Sequence, residues 1–330
     1  MNISNSLQST LFSADRILSQ FYLRLFQERN ALIIFVFHGF ILDFQKKNLT
    51  GVEPRRFITE SEFQQFIEYF LESNYEFISP DEILTDLNGN KKYALITFDD
   101  GYFNNYASLS TLKTYRVPAV YFISTNHVKD NKSFWWDVLY RERTKQGVCL
   151  PKIRSENRVL KTKTHDEIEE HLIKEFAKSA LTPLGDLDRP FSPLELKNFV
   201  EEKYVYLGNH TRDHAILTNY SQEGIRSQIL GAQQALLEMT GKQPAIISYP
   251  DGKYSSDVIK ASQEAGFQLG VTADYGKNRL PVNFSDYSNL FLKRCPLWKR
   301  QNIKTSCYLV RSDISFCGIL KKLRTKGKLQ

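Results

Sequence analysis

Two acids stand side by side in the stretch Tyr93-Ala-Leu-Ile-Thr-Phe-Asp-Asp-Gly-Tyr102, directly after an apolar run. Carboxylates at the exit of a buried strand are costly unless something pairs with them. On an extended chain neighbouring side chains point to opposite sides. Asp99 and Asp100 are therefore free to do different jobs, one binding a metal and one moving protons. Gly101 lets the backbone turn sharply and approach a ligand. Taken alone, the same residues would also make an ordinary strand followed by an Asp-Asp-Gly turn. A second candidate pair, His210 and His214, follows the run Tyr204-Val-Tyr-Leu207. Their spacing predicts two imidazoles on one face of a helical turn, which would offer two nitrogens to one metal.

Other residues with chemical potential also sit at the ends of apolar runs. His38 closes Ala31–Phe37. A lone histidine is usually structural, but its place at a strand exit matches that of the two acids. Arg294 closes Phe291-Leu-Lys-Arg294. It reads either as a surface charge or as a bidentate partner that orients a carboxylate. Trp135 and Trp136 open a helix, as a stacking wall for a sugar ring or as packing anchors. Tyr249-Pro250-Asp251-Gly252 ends another short run in a turn, whose backbone can serve a site.

These residues need a scaffold that gathers strand ends. Apolar runs of strand type at 31–37, 93–98, 120–123, 204–207, 245–249, 268–271 and 291–294 alternate with helical patterns. That alternation predicts a parallel sheet or barrel. Residues Leu11 to Gln27 have the spacing of an amphipathic helix, packed on the main domain or lying on a membrane surface. Residues 141–200 are more polar and read as a helical insertion, with His165 and His171 on its surface. The expected organisation is an N-terminal helix over 1–30, a catalytic domain over 31–300 and a C-terminal helix with a basic tail over 301–330.

Composition narrows the class. The chain has 330 residues, 42% hydrophobic and 25% charged, with ample material for a core. Its net charge of +7, from 44 basic and 37 acidic residues, is spread along the chain rather than clustered with aromatics. A nucleic-acid partner is therefore not expected. Four cysteines without a CxxC pattern predict reduced thiols rather than a zinc ribbon or a disulfide framework. No apolar run is long enough to cross a bilayer and no signal peptide is visible, so a cytoplasmic protein is expected. The tail Lys321-Lys-Leu-Arg-Thr-Lys-Gly-Lys328 reads as a solvated terminus or as a peripheral contact with the inner face of an anionic membrane.

The three segments Thr97-Phe-Asp-Asp-Gly-Tyr102, His210-Thr-Arg-Asp-His214 and Tyr249-Pro-Asp-Gly252, in that order, resemble the polysaccharide deacetylase (NodB-homology) family, carbohydrate esterase family 4. The resemblance spans roughly Ala31 to Pro296. It implies an α/β fold, a distorted (β/α) barrel of about seven strands, and removal of an acetyl group from a sugar with a divalent metal, Zn2+ in first place. Carried over, Asp100, His210 and His214 are the metal ligands, Asp99 the general base, and the Tyr102 N–H an oxyanion donor. Arg294 is then the partner that keeps Asp99 ionised. Tyr249, Pro250, Gly252, Trp135 and Trp136 join the substrate-binding set.

The sequence departs from the family pattern in two places. Many members carry an arginine where this chain has Ser248, a role that Arg294 could take. Many also carry a histidine near the C-terminal end that protonates the leaving amine, whereas no histidine follows His214. His38 is the expected substitute, supplied from the N-terminal strand in a permuted arrangement. The expected substrate is an acetylated sugar in a surface-polysaccharide or glycan precursor, lipid- or nucleotide-linked. The competing readings are a catalytically inactive carbohydrate-binding relative, and a deformylase or other amidohydrolase of the same fold.

Overall fold

The computed structural model describes residues 5–85, 87–297 and 302–312. Its strands are β1 (Leu32–Phe37), β2 (Gly39–Ile41), β3 (Phe57–Thr59), β4 (Tyr75–Phe77), β5 (Lys92–Phe98), β6 (Ala119–Ile123), β7 (Val205–Asn209), β8 (Ile246–Ser248), β9 (Leu269–Tyr275) and β10 (Leu292–Pro296). Its helices are α1 (Asn5–Leu25), α2 (Glu60–Glu72), α3 (Pro80–Ile83), α4 (Leu109–Tyr115), α5 (Thr125–Asp130), α6 (Trp135–Lys145), α7 (Leu150–Leu160), α8 (His165–Phe176), α9 (Pro193–Phe199), α10 (Gln222–Thr240), α11 (Ser256–Glu264) and α12 (Ile303–Arg311).

Strands β1, β10, β9, β8, β7, β6 and β5 follow one another in the sheet, and β1 also pairs with β5. The sheet thereby closes into a seven-stranded parallel barrel, with β4 added beside β5. The expected barrel of about seven strands is what the chain forms. Strands β2 and β3 make a small separate parallel pair.

The pleat divides each strand between two cores. Leu32, Ile34, Tyr93, Leu95, Val120, Phe122, Ile246, Leu269, Val271 and Leu292 fill the barrel interior. Their neighbours Ile33, Phe35, Phe37, Ala94, Ile96 and Phe98 face outward under the helices. This two-sided burial explains why the strands read as continuous apolar runs. Helix α2 starts at a capping box, in which Thr59 accepts from the Glu62 N–H. It lays Phe63, Phe66 and Phe70 on Phe35 and Phe37, with edge-on ring contacts of 4.7 to 5.5 Å.

Helices α6, α7 and α8 pack around their own core of Trp135, Trp136, Leu139, Ile153, Ile168 and Leu172, which also takes in Tyr102. Helix α3 is a single turn, Pro80–Ile83, because the chain turns away before Asn88-Gly89-Asn90. Helix α1 lies on α12 and buries Asp15 and Ser19, while Ile17, Phe21 and Leu25 are 58%, 61% and 63% exposed. Its apolar stripe therefore faces away from the barrel. The basic tail lies outside the described residues. Among those described, no helix is long and apolar enough to cross a membrane.

Candidate active site

The interior face of the pleat delivers the functional side chains to one end of the barrel. Position 99 continues the inward series of Tyr93, Leu95 and Thr97; position 294 continues that of Leu292. Asp99 and Arg294 meet there as a buried bidentate pair, Nη1 to Oδ1 at 2.7 Å and Nη2 to Oδ2 at 2.8 Å. Arg294 is itself held by the Thr272 carbonyl at 2.8 Å. Ser248, inward on β8, brings its hydroxyl to 3.4 Å from Asp99. Burial alone would raise the Asp99 pKa. The Arg294 charge outweighs it and holds the carboxyl below its usual value.

Asp100 follows a different rule. By parity it would point outward with Phe98. Its φ of +79° turns it back to the mouth of the barrel, where it is 1% exposed. Gly101, at φ +90°, completes the turn and could not carry a side chain without strain. Beyond it, the Tyr102 N–H has no acceptor among the described residues, whereas the Tyr102 side chain is buried and away from the cavity.

His210 and His214 do not lie on a helical turn. Residues 210–214 form a loop in which Thr211 and His214 have φ of +65° and +51°. Left-handed residues end helical backbone, so the four-residue spacing acts here through a folded-back loop. That loop is braced from both sides. Asn209 accepts from the Thr211 N–H at 2.8 Å, and Asp213 accepts from Asn126 and Gln228, each at 2.6 Å. The two rings lie 4.8 Å apart, and Nε2 of His210 and His214 stand 3.5 and 3.3 Å from Asp100 Oδ1.

This cluster fits a metal ion. The His210 Nδ1 is 2.8 Å from the Ser248 carbonyl, which can only accept, so the proton is on Nδ1 and Nε2 is bare. That lone pair faces Asp100 Oδ1, itself buried without a hydrogen bond. Electron-rich atoms so opposed call for a cation between them. Ligand atoms of Asp100, His210 and His214 lie within 4.8 Å of one another. One carboxylate and two imidazoles suit zinc and leave a position open.

The cavity above this cluster has a volume of about 250 Å³. His38 lines it, brought alongside the acids because the Asp99 N–H donates to the Phe37 carbonyl at 2.9 Å. Burial pushes the His38 pKa down to about 4, against the pull of Asp100, so the ring is neutral near pH 7. Trp135 and Trp136 reach the cavity by their edges only, each 5% exposed. Trp136 packs its ring on His214 at 4.4 Å and donates Nε1–H to the Tyr102 hydroxyl oxygen at 2.7 Å. Gly252 also lines it, and a Cβ there would strike Ala273 at 2.2 Å. Tyr249 and Pro250 do not reach the cavity. Tyr249 follows inward-facing Ser248, so its side chain points out and packs among Val258 and Ala261.

Sequence reading missed Arg56, Asn157 and Lys161, and gave no role of their own to Ser248 and Asp251 in and beside the third motif; all lie at or beside this cavity. Arg56 puts Nη1 3.3 Å from Asp100 Oδ2 and its guanidinium 4.6 Å from the centre of the Trp136 ring. It comes from a short turn, Pro54–Arg56, which carries no motif. Lys161, at the end of α7, pairs with Asp251 across the mouth. Ser248 was open to discovery, since it shares the inward parity of Ile246.

The sequence model of the family described as polysaccharide deacetylase matches residues 86–270, more than half of the chain. The chain belongs to the polysaccharide deacetylase family. YxkH of Bacillus subtilis (strain 168) is 23% identical over 224 residues, 66% of this chain and 60% of that protein. Several solved deacetylase structures share the fold. The Streptococcus pyogenes deacetylase PplD in complex with acetate matches at 14% identity and a TM-score of 0.56, over 86% of this chain and 99% of that one. BC0361, a polysaccharide deacetylase from Bacillus cereus, matches at 15% identity and 0.58, over 86% and 69%. IcaB from Ammonifex degensii matches at 17% identity and 0.56, over 86% and 98%. The matched region of this polysaccharide deacetylase family member includes Asp99, Asp100, His210, His214 and Ser248. His38, Arg56 and Arg294 lie outside it.

Proposed function

We propose that the protein is a metal-dependent hydrolase that removes an acetyl group, as an N-acetyl, from a sugar of a surface-polysaccharide or glycan precursor. The observation that carries this reading is the unpartnered Asp100 Oδ1 facing two imidazoles, beside an Asp99 already matched to Arg294. A divalent cation bound by Asp100, His210 and His214 supplies Lewis-acid polarisation of the acetyl carbonyl and a more acidic water.

The chain's own residues do the rest. Asp99, held ionised and in one orientation by Arg294, takes the proton from water as that oxygen attacks. The Tyr102 N–H donates to the oxygen that becomes negative. His38 gives a proton to the departing amine. It is neutral before reaction, so the proton it gives is the one Asp99 took from water, and Asp99 returns to carboxylate. Trp136 fixes His214, and Arg56 occupies Asp100 Oδ2 so that Oδ1 is the oxygen left for the cation. Gly252 lets its turn lie directly against Ala273 in the cavity wall.

Three free thiols, Cys149, Cys295 and Cys307, suit a reducing compartment and a precursor on the cytoplasmic side. The exposed Ile17, Phe21 and Leu25, with the basic tail, would suit an anionic membrane surface that presents a lipid-linked substrate.

The test pairs metal content with acetate release from N-acetylated lipid- and nucleotide-linked sugars, for wild type and His210→Ala. Loss of both in the variant supports the reading. A wild type that takes up no zinc or cobalt sinks it. Metal uptake with release of formate or another acyl group moves the chemistry to a different amide.

A further inference from the structure

A second cavity, of about 340 Å³, adjoins the loop that presents His210 and His214. Arg212 and Asp213 of that loop line it, whereas His210 and His214 line the first cavity. Its other walls come from α5 and the first turns of α8.

Two imidazoles meet there with their bonding already decided. His127 is 3% exposed, and its Nδ1 is 3.2 Å from the Lys132 carbonyl. A carbonyl only accepts, so the proton is on Nδ1 and the lone pair on Nε2. Nε2 is buried and has no partner. His165 is no surface residue: its side chain is 14% exposed, with Nε2 3.2 Å from Glu169 Oε2. The carboxylate accepts from Nε2, and Nδ1 is also buried and without a partner. The rings stand edge to face with centroids 6.0 Å apart, against 4.8 Å for His210 and His214.

The surroundings favour a cation. Asp130, Asp166, Glu169, Glu170 and Asp213 line the cavity. Its two cations are committed, Lys132 to Glu169 at 3.1 Å and Arg212 to Asp213 at 3.1 Å. Protonation of His127 does not relieve the lone pair, because burial pushes its pKa down to about 3. Unpartnered imidazole nitrogens in an acidic cavity select a borderline divalent metal over sodium or magnesium.

We propose that this cavity is a second metal site for a zinc-type divalent ion, bound by His127 Nε2 and His165 Nδ1 with water completing the shell. The ion ties α8 to α5, beside the loop that carries His210 and His214. This site is independent of the deacetylase reading.

Zinc bound per chain, measured by equilibrium dialysis and elemental analysis, tests it, with thermal unfolding recorded with and without zinc. Wild type should bind two ions, His210→Ala one, His165→Ala one, and the double variant none. His127→Gln should match His165→Ala, and both should lose part of the zinc-dependent rise in Tm. A wild type that binds one ion, kept in His165→Ala and lost in His210→Ala, overturns the proposal and leaves the first site standing. Two ions retained in both His165→Ala and His127→Gln overturn it as well.

Discussion

The two ends of the barrel each bury a carboxylate, and they treat it in opposite ways. At the end where the strands begin, Glu28 is enclosed by the chain's own donors. Arg311 reaches it at 2.9 and 3.1 Å, Lys92 at 3.3 Å and Lys277 at 3.7 Å, and the Tyr75 hydroxyl also donates. At the end where the strands finish, Asp100 keeps one oxygen without a donor and turns it toward bare imidazole nitrogen. The first network is complete within the chain, whereas Asp100 Oδ1 has no donor among the described residues. A carboxylate met by the chain's own donors serves stability; on the proposed reading Asp100 serves a ligand, at the strand-exit face of the barrel. Asp99 stands between the cases: one step from Asp100, it is already satisfied by Arg294 and so is free to act on protons.

The comparison breaks first, if it is wrong, at Asp100→Asn. That variant should lose zinc and cut acetate release by about 10³-fold or more, as for loss of a central electrostatic group. Its metal-free Tm should stay close to that of wild type, since Oδ1 has no donor to lose and the amide keeps an oxygen for Arg56. A metal-free Tm lower by several degrees would put Asp100 in the same class as Glu28. Next in size is Glu28→Ala, which leaves buried cations unpaired and should cost about 3 to 5 kcal/mol in urea unfolding. Its zinc content under native conditions should equal that of wild type.

Arg294→Ala tests the intermediate case. Zinc should stay bound while kcat falls about 10²-fold, a typical contribution of a positioned general base. Without the guanidinium the Asp99 pKa rises, so the acid limb of the pH–rate profile should move to higher pH; a limb that stays put would remove Asp99 as the base. Arg56→Gln should weaken zinc binding by about 10-fold, the range for a group that orients a ligand.

A gentler effect concerns Glu28 and pH. Burial tends to raise its pKa, but the Arg311 contacts prevail and hold it below 4.5. A depressed folded pKa gives stability that is present above the unfolded value and is lost as pH falls through the folded one. Wild type should therefore lose urea resistance below about pH 4.5, a dependence that Glu28→Gln should flatten. An unchanged slope in the variant would assign acid sensitivity elsewhere.

Much of this molecule was legible before any coordinates. Parallel strands buried on both faces leave continuous apolar runs, and their polar exits marked His38, Asp99, Asp100 and Arg294. The insertion was recognisable by its polarity, though not its fold-back onto Tyr102. Helical spacing misled at His210 and His214, because a period of four describes a helix only where φ stays negative, and Thr211 is left-handed. Tyr249 was misassigned through its neighbours, since the pleat sends Ser248 inward and Tyr249 out. Arg56 and His127 could not be singled out. Each acts through contacts with residues far along the chain, Asp100 for one and His165 for the other.

What the sequence determined by itself was local: strand exits, side-chain parity, and the residue types a hydrolytic metal site needs. Those follow from period and chemistry, which are properties of neighbours in the chain. The tertiary structure alone decided the charge balance at each end of the barrel. It set which carboxylate met Arg294, which met three cations and which was left facing bare nitrogen. Electrostatic compensation depends on distances across the barrel, and closure of β1 onto β5 is what sets those distances.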